Sequence, residues 1–210
     1  MQSGLRLSSA PAEAERVKPA DMSGQSLAEG LKSGDVGAFA VLLDRFWRPL
    51  VTYAEDKLGS RDAAEDTVQE VYVRVWLKRE GLRSDTSLRG YLYRLVHNAA
   101  LDELRRRQVR LRYAPMLEAG LPSPPTPDQV TEAEELADAA EQAIAALPER
   151  RREVFVLGHL HDLSYQEIAE ALGLTPRTVA NHMSLALRDL RTALRPFLPS
   201  GSGARGRGSS

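Results

Sequence analysis

Apolar positions recur at helical spacing along most of this chain, and no stretch of any strength alternates as a strand would. The most informative run is Leu163 to Leu194, which reads as two helices joined by a tight turn. Ser164 stands three residues before Glu167, the spacing of a capping box, and Ile168, Ala169 and Leu172 follow on one face. Gly173 supplies a helix-ending conformation with Leu174 beyond it, then Thr175 offers an N-cap and Pro176 a first helical residue. In the second helix Val179, Met183, Ala186, Leu187, Leu190 and Leu194 predict the buried stripe. Thr178, Asn181, His182, Leu185 and Arg188 face the other way, with Arg177 and Ser184 beside them. That is a helix-turn-helix, whose second helix enters the DNA major groove N-terminus first.

Upstream, Leu27 and Leu31 start a helical pattern near Ser26, broken at Gly34-Asp35 and resumed by Phe39, Leu42, Leu43, Phe46 and Trp47. Pro49 predicts a kink or a junction before Leu50, Tyr53, Ala54 and Leu58 carry the period to Gly59. After Ser60 a new helix opens with Asp62, Glu65 and Asp66 near its positive end and buries Ala64, Val68, Val71 and Val75, with Tyr72 beside them. Gly81 to Ser87 is a loop with cap chemistry, followed by a long helix from Leu88 whose apolar side is Leu88, Leu92, Leu95, Val96 and Ala99. Further on, Leu136, Ala140, Ala143, Ile144 and Leu147 predict one helix, and Val154, Phe155, Leu157 and Leu160 a second, packed against the helix-turn-helix.

Proline changes this picture from one unit to two. LPSPPTPD reads as a semi-rigid linker, so the fold expected is all-α, two small helical domains joined by a Pro-rich linker, the C-terminal one a helix-turn-helix. The expected limits are a disordered lead at 1–25, a first domain at 26–112, a linker at 113–130, a second domain at 131–198 and a flexible tail at 199–210. Cysteine is absent, which removes disulfides, thiol catalysis and Cys-bound zinc and fits a reducing, cytoplasmic setting. A net charge of −1 is unlike a blanket nucleic-acid binder, so any contact with DNA must come from local basic patches.

Three surfaces carry candidate chemistry. On the last helix, Arg177 can fork onto guanine, Asn181 onto adenine, and Thr178 can meet a base or a thymine methyl. On the helix after Ser60, Asp66, Gln69, Glu70, Val73 and Trp76 form a mixed acidic and apolar face, either a solvated flank or a partner-docking surface with Trp76 as anchor. On the long helix, Tyr91, Arg94, Asn98, Asp102 and Arg105 line one stripe beside a basic run from Arg105 to Arg112. Rings that stack bases and arginines that hold phosphates suit single-stranded DNA; boundary core tyrosines and a solvated helix end are the competing reading. Enzyme signatures are missing: there is no Gly-rich phosphate loop and no H-E-x-x-H motif. His159 and His161, two apart, diverge on a helix, so neither a metal nor a cofactor is expected.

With these stretches in order, the chain resembles the extracytoplasmic-function (ECF) sigma factors. DAAEDTVQEVYVRVW (Asp62 to Trp76) is similar to the family's core-polymerase-binding helix, and LRGYLYRLVHNAALDELRRR (Leu88 to Arg107) to the segment that opens and reads the −10 promoter element. LPERRREVFVLGHLHDLSYQEIAEALGLTPRTVANHMSLAL (Leu147 to Leu187) is similar to the domain that reads the −35 element.

The resemblance implies a transcription initiation factor that binds core RNA polymerase and directs it to promoters. Asp66, Gln69, Glu70 and Val73 would dock on the polymerase clamp helices, with Trp76 supporting that face. The loop Arg83, Ser84, Asp85, Thr86 and Ser87, with Tyr91, Arg94, Asn98 and Arg105, would take the single-stranded −10 element. Thr175, Pro176, Arg177, Thr178, Asn181, His182, Ser184 and Arg188 would meet duplex DNA at −35. Many members carry several arginines along this helix where Ala180, His182 and Leu185 stand here, a departure that bears on which sequence is read. An anti-sigma protein is a further partner the resemblance allows. A conventional duplex-binding regulator and a polymerase-docking adaptor are the other classes compatible with a helical chain of this kind.

Overall fold

The computed structural model describes residues 24–83, 87–113 and 132–197, so the linker, the tail, most of the lead and Ser84, Asp85 and Thr86 lie outside the described residues. Among the described residues every regular element is helical. Four helices form the N-terminal half: α1 (Gly24–Lys32), α2 (Val36–Leu58), α3 (Arg61–Leu77) and α4 (Leu88–Tyr113). Four more follow: α5 (Glu132–Ala145), α6 (Glu149–His159), α7 (Tyr165–Leu172) and α8 (Pro176–Leu194).

Local sequence sets the breaks. The Asp35 carboxylate accepts from the Gly37 amide at 2.7 Å to start α2, and Gly59, at φ 65, ends it. Ser60 then caps α3 by accepting from the Ala63 amide. Ser164 and Glu167 close the expected capping box on α7, Gly173 turns the chain at φ 66, and Thr175 caps α8.

Pro49 does not divide α2, contrary to the expected junction; the helix runs through it to Leu58. Proline inside a helix costs about 3 kcal/mol. Leu42, Phe46, Leu50, Val51, Tyr53 and Ala54 on both sides of it are buried, and a buried side chain of that size returns about 1.5–3 kcal/mol. The shared ridge therefore outweighs the missing N–H.

In the C-terminal half Val154, Phe155 and Leu157 are buried as expected, but Leu160 is 59% exposed. Helix α6 ends at His159, so Leu160 falls beyond the packed face. Gly158 leaves a notch on α6 into which the Met183 methyl of α8 fits; a Cβ there would lie 2.6 Å from it. On α8, Leu187 was expected inside and is 37% exposed, whereas Leu185 was expected outside and is half-buried. The cause is α6: Arg151 pairs with Asp189, one turn beyond Leu185 on the same face, so α6 covers that flank.

The two halves pack directly on each other through α4 and α7, and their buried side chains make one continuous core. Buried polar groups sit in that seam. The Tyr53 hydroxyl lies 2.9 Å from His97 Nδ1, the Tyr93 hydroxyl lies 3.2 Å from His161 Nδ1, and Lys57 donates to Glu153 at 2.7 Å. Burial raises Tyr93 to about 12, so its phenol stays protonated. Burial depresses both imidazoles below their ordinary 6.5, helped by the Lys57 charge at His97 and the Arg89 charge at His161. Burial also opposes the charged form of Glu153, but Lys57, His97 and Arg150 together hold that carboxyl below its ordinary 4.5.

These directions fix the pH response. Groups depressed in the packed state stabilise it fully above their free values and lose that contribution as pH falls through the packed ones. The midpoint of thermal unfolding should therefore be flat from pH 8 to 7 and fall below pH 6.5 as the histidines take up protons. A His97→Gln, His161→Gln double variant should flatten the fall between pH 6.5 and 5, and a wild-type profile without that fall would contradict the assignment.

Candidate nucleic-acid and protein interfaces

The first surface is the outer face of α8. Thr175 Oγ1 accepts from the Thr178 amide at 3.1 Å, and the helix opens with Pro176 in its first turn. Arg177, Asn181, Ser184 and Arg188 recur every three or four residues and are exposed, so a single row faces solvent from the positive end of the helix. The Ser184 hydroxyl is turned back to the Ala180 carbonyl at 2.9 Å, and Arg188 lies 3.5 Å from Asp189. Thr178 and His182 sit on the flank instead, half-buried, and His182 Nδ1 is enclosed without a hydrogen-bond partner. The row therefore combines a guanidinium, an amide and a hydroxyl, the groups that read base edges in a major groove.

The second surface begins at the loop before α4. Leu82 is buried and anchors it, leaving Arg83 exposed. Ser87 Oγ accepts from the Gly90 amide at 3.2 Å and donates to Glu167 Oε1 of α7 at 2.8 Å. Along α4, Arg94, Asn98 and Arg105 are exposed and Tyr91 is half-buried, with the Arg94 guanidinium 5.2 Å over the Tyr91 ring. The basic run below them is largely compensated. Arg105 pairs with Asp102 at 3.0 Å, and Glu103 gathers Arg106, Arg107 and Arg110 at 3.1, 3.3 and 2.5 Å. Arg107 also donates to the last-turn carbonyl of Leu58 at 2.9 Å, so it braces α2 rather than reaching outward. A cavity lies beside the loop, lined by Arg45, Phe46, Pro49, Ser87, Arg89 and Glu167 among others.

The third surface is on α3. Asp66, Gln69, Glu70 and Val73 are all exposed, Val73 by 54%, and Glu70 pairs with Arg74 at 2.7 Å. Trp76 is half-buried between the Phe39 ring, at 4.9 Å, and the Arg79 guanidinium, at 4.7 Å. Sequence reading missed the other wall. Phe39, Leu43 and Trp47 of α2 join Glu65, Asp66, Gln69, Tyr72 and Val73 around one groove. Their signal lies in the helical spacing: Phe39, Leu43 and Trp47 stand at i, i+4 and i+8, a single ridge beside the Leu42–Phe46 side of the same period. Their exposure is intermediate, which is how an apolar groove differs from an interior. Also missed were Tyr93, His97 and Glu153; their buried polar contacts fall off the apolar stripes that periodicity detects.

Among the described residues no group of three or more His, Asp or Glu side chains could hold a metal ion, and no helix is long and apolar enough to cross a membrane.

Comparison with known proteins places two family models on the chain: Sigma-70 region 2 over residues 42–110 and Sigma-70, region 4 over residues 137–190. The ECF RNA polymerase sigma factor SigL of Mycobacterium tuberculosis is 30% identical, across 79% of this chain and 93% of SigL. SigW of Bacillus subtilis, also an ECF RNA polymerase sigma factor, is 26% identical over 79% of this chain and 93% of its own length. Among solved structures, CnrH in complex with the cytosolic domain of CnrY matches with a TM-score of 0.59 and 26% identity, covering 82% of this chain and 97% of that one.

Proposed function

This chain belongs to the ECF RNA polymerase sigma factors, and from that premise we propose which of its surfaces perform promoter-directed initiation. It is a transcription initiation factor that binds core RNA polymerase and directs it to promoters. The bond-making chemistry belongs to the polymerase, so the chain itself is a binding protein and not an enzyme, working in the cytoplasm where transcription takes place.

Residues 26–112 serve as the unit that holds polymerase and takes the −10 element, 131–198 as the unit that reads −35, and 113–130 as the tether between them. The groove between α2 and α3 receives the polymerase clamp helices. Asp66 and Gln69 supply its polar rim with Glu70 on the same exposed face, and Val73 lines its apolar side with Phe39, Leu43 and Trp47, Trp76 packing behind Phe39. An acid-rimmed aromatic groove suits a basic and apolar partner helix. The stripe Tyr91, Arg94, Asn98 and Arg105 with the loop from Arg83 to Ser87 takes the separated −10 strand. Flipping a base from the stack costs a few kcal/mol, which stacking and charged contacts must return. Helix α8 reads the −35 duplex. Arg177 and Asn181 make the base contacts, Ser184 and Arg188 lie farther along the groove, Thr175, Pro176 and Thr178 fix the helix start, and His182 steadies its flank.

One observation carries this reading: the exposed row Arg177, Asn181, Ser184 and Arg188 on a helix whose start is fixed by the Gly173 turn and the Thr175 cap. A regulatory protein partner of the anti-sigma kind is a further expectation, in keeping with CnrH having been solved with a bound protein, the cytosolic domain of CnrY.

Three outcomes test the assignments. In an in vitro transcription assay with core polymerase and a genomic promoter library, the wild-type chain should initiate at a shared promoter sequence. Asp66→Ala with Gln69→Ala should weaken core binding by about 1 kcal/mol or more for each lost contact, with unchanged thermal stability. Unchanged affinity would remove the docking surface. Separately, Asn181→Ala or Arg177→Ala should cost about 1–3 kcal/mol at one upstream base pair. A loss equal on every promoter would make them phosphate contacts instead.

A further inference from the structure

We propose that the Pro-rich tether between the two halves seats its apolar start, Met116, Leu117 and Leu121, in a groove formed by α2, α5 and α6. In the free chain the tether is then a packed element and not a loose strap. This seating depends only on the groove and on where the tether is attached, and it stands apart from the promoter assignments.

The groove is a cavity of about 420 Å³ with a mainly apolar lining. Tyr53 of α2, Ile144 and Ala145 of α5 and Val156 of α6 form its walls, and Leu160, 59% exposed, stands at its edge. Among the described residues of the C-terminal half, Leu160 is the most exposed large apolar side chain. Burying such surface is favourable in proportion to its area, so a covering segment is stabilised there.

Both ends of the tether are held near this groove. Arg107 of α4 donates to the Leu58 carbonyl, and Lys57, next to Leu58, lines the groove. From Arg107 the helix runs on to Tyr113, about 9 Å, and the tether begins there. At the other end Ile144, in the last turn of α5, lines the groove, and Glu132 at the head of that helix is about 18 Å away. Residues 114–131 extend to about 60 Å, more than a path past the groove requires, so the surplus can fold onto it. With both ends tied, closure costs little further entropy and the local concentration is high.

The residues of the tether select the part that seats. Met116, Leu117 and Leu121 precede Pro122, Pro124, Pro125 and Pro127, which hold a chain extended and suit spanning over burial. Charge agrees. The tether carries Glu118 and Asp128 but no lysine or arginine. Of the cations lining the groove, Lys57 is paired with Glu153 at 2.7 Å, whereas Arg152 donates only to the Ala145 carbonyl. Glu118, between Leu117 and Leu121, supplies the carboxylate for Arg152, turned away from Asp56 and Glu141 on the rim.

The chain has no cysteine, so reporters can be placed singly in the full-length protein. Leu121→Cys would carry acrylodan, whose emission moves to the blue in apolar surroundings, with Ser210→Cys bearing the same dye as reference. The Leu121→Cys emission should lie well to the blue of the reference, and adding Leu160→Asp should return it to the reference value. Leu160 is exposed, so this change leaves the core untouched. Independently, a Leu117→Cys, Leu160→Cys pair should close a disulfide under mild oxidation about tenfold faster than a Leu117→Cys, Val36→Cys pair, because seating raises the local concentration at one site alone. Val36 is 70% exposed at the far end of α2, so a loose tether would treat the two partners alike. Equal closure rates overturn the proposal, as does dye emission that Leu160→Asp leaves unmoved. A wild-type dimer in light scattering that Leu160→Asp converts to monomer also overturns it, by giving the groove to a second copy of the chain.

Discussion

Everything in this fold hangs on the approach of α4 to α7. Gly90 brings the two backbones together, and around it Leu88, Leu92, Tyr93 and Val96 join Ile168 and Ala169 in a core that continues from one half of the chain into the other. Without that contact the chain would be two small bundles with separate and thinner interiors. Because of it, residues far apart in sequence share one buried environment, and ionisable groups there depart from their ordinary behaviour. The imidazole of His97 is pushed below its ordinary range by burial and by the Lys57 charge on α2, not by its neighbours in the chain.

Charge in this molecule is settled locally. The sequence shows an arginine run at the end of α4 that looks like a nucleic-acid grip, yet Glu103 draws three of those arginines to itself and Arg107 closes the end of α2. Exposed pairs of this kind contribute little to stability, about 0–1 kcal/mol each. Their larger effect is to thin the field that a polyanion would feel. Attraction to DNA then depends on placed groups, which suits a protein that must choose sites and not coat its template.

Much of this could be read before any coordinate. The helix-turn-helix was legible because capping chemistry is short-range: Ser164, Glu167, Gly173, Thr175 and Pro176 each act within one turn, and all five behave as written. The outward positions of Asp66, Gln69, Glu70, Arg94 and Asn98 also follow from periodicity alone. What escaped is tertiary. Pro49 reads as a break until the buried ridge around it is known, and Leu185 and Leu187 change roles because α6 leans over one flank of α8. Helical spacing alone does not separate Phe39, Leu43 and Trp47 from Leu42 and Phe46, because half-burial and full burial share one period. The polar seam was invisible for a plainer reason: nothing in the pattern links Tyr53 to His97, or Tyr93 to His161, across such distances in the chain.

The methionine seated in the Gly158 notch has a last implication, for how such a protein changes over generations. It fixes α8 through its inner face, so the outer row contributes nothing to the seat. If that row reads promoter DNA as proposed, substitutions at Arg177, Asn181 or Ser184 would redirect the factor toward other genes without disturbing the seat of α8. On that assignment specificity would drift while the scaffold stays fixed, and new regulatory circuits would arise from one inherited architecture.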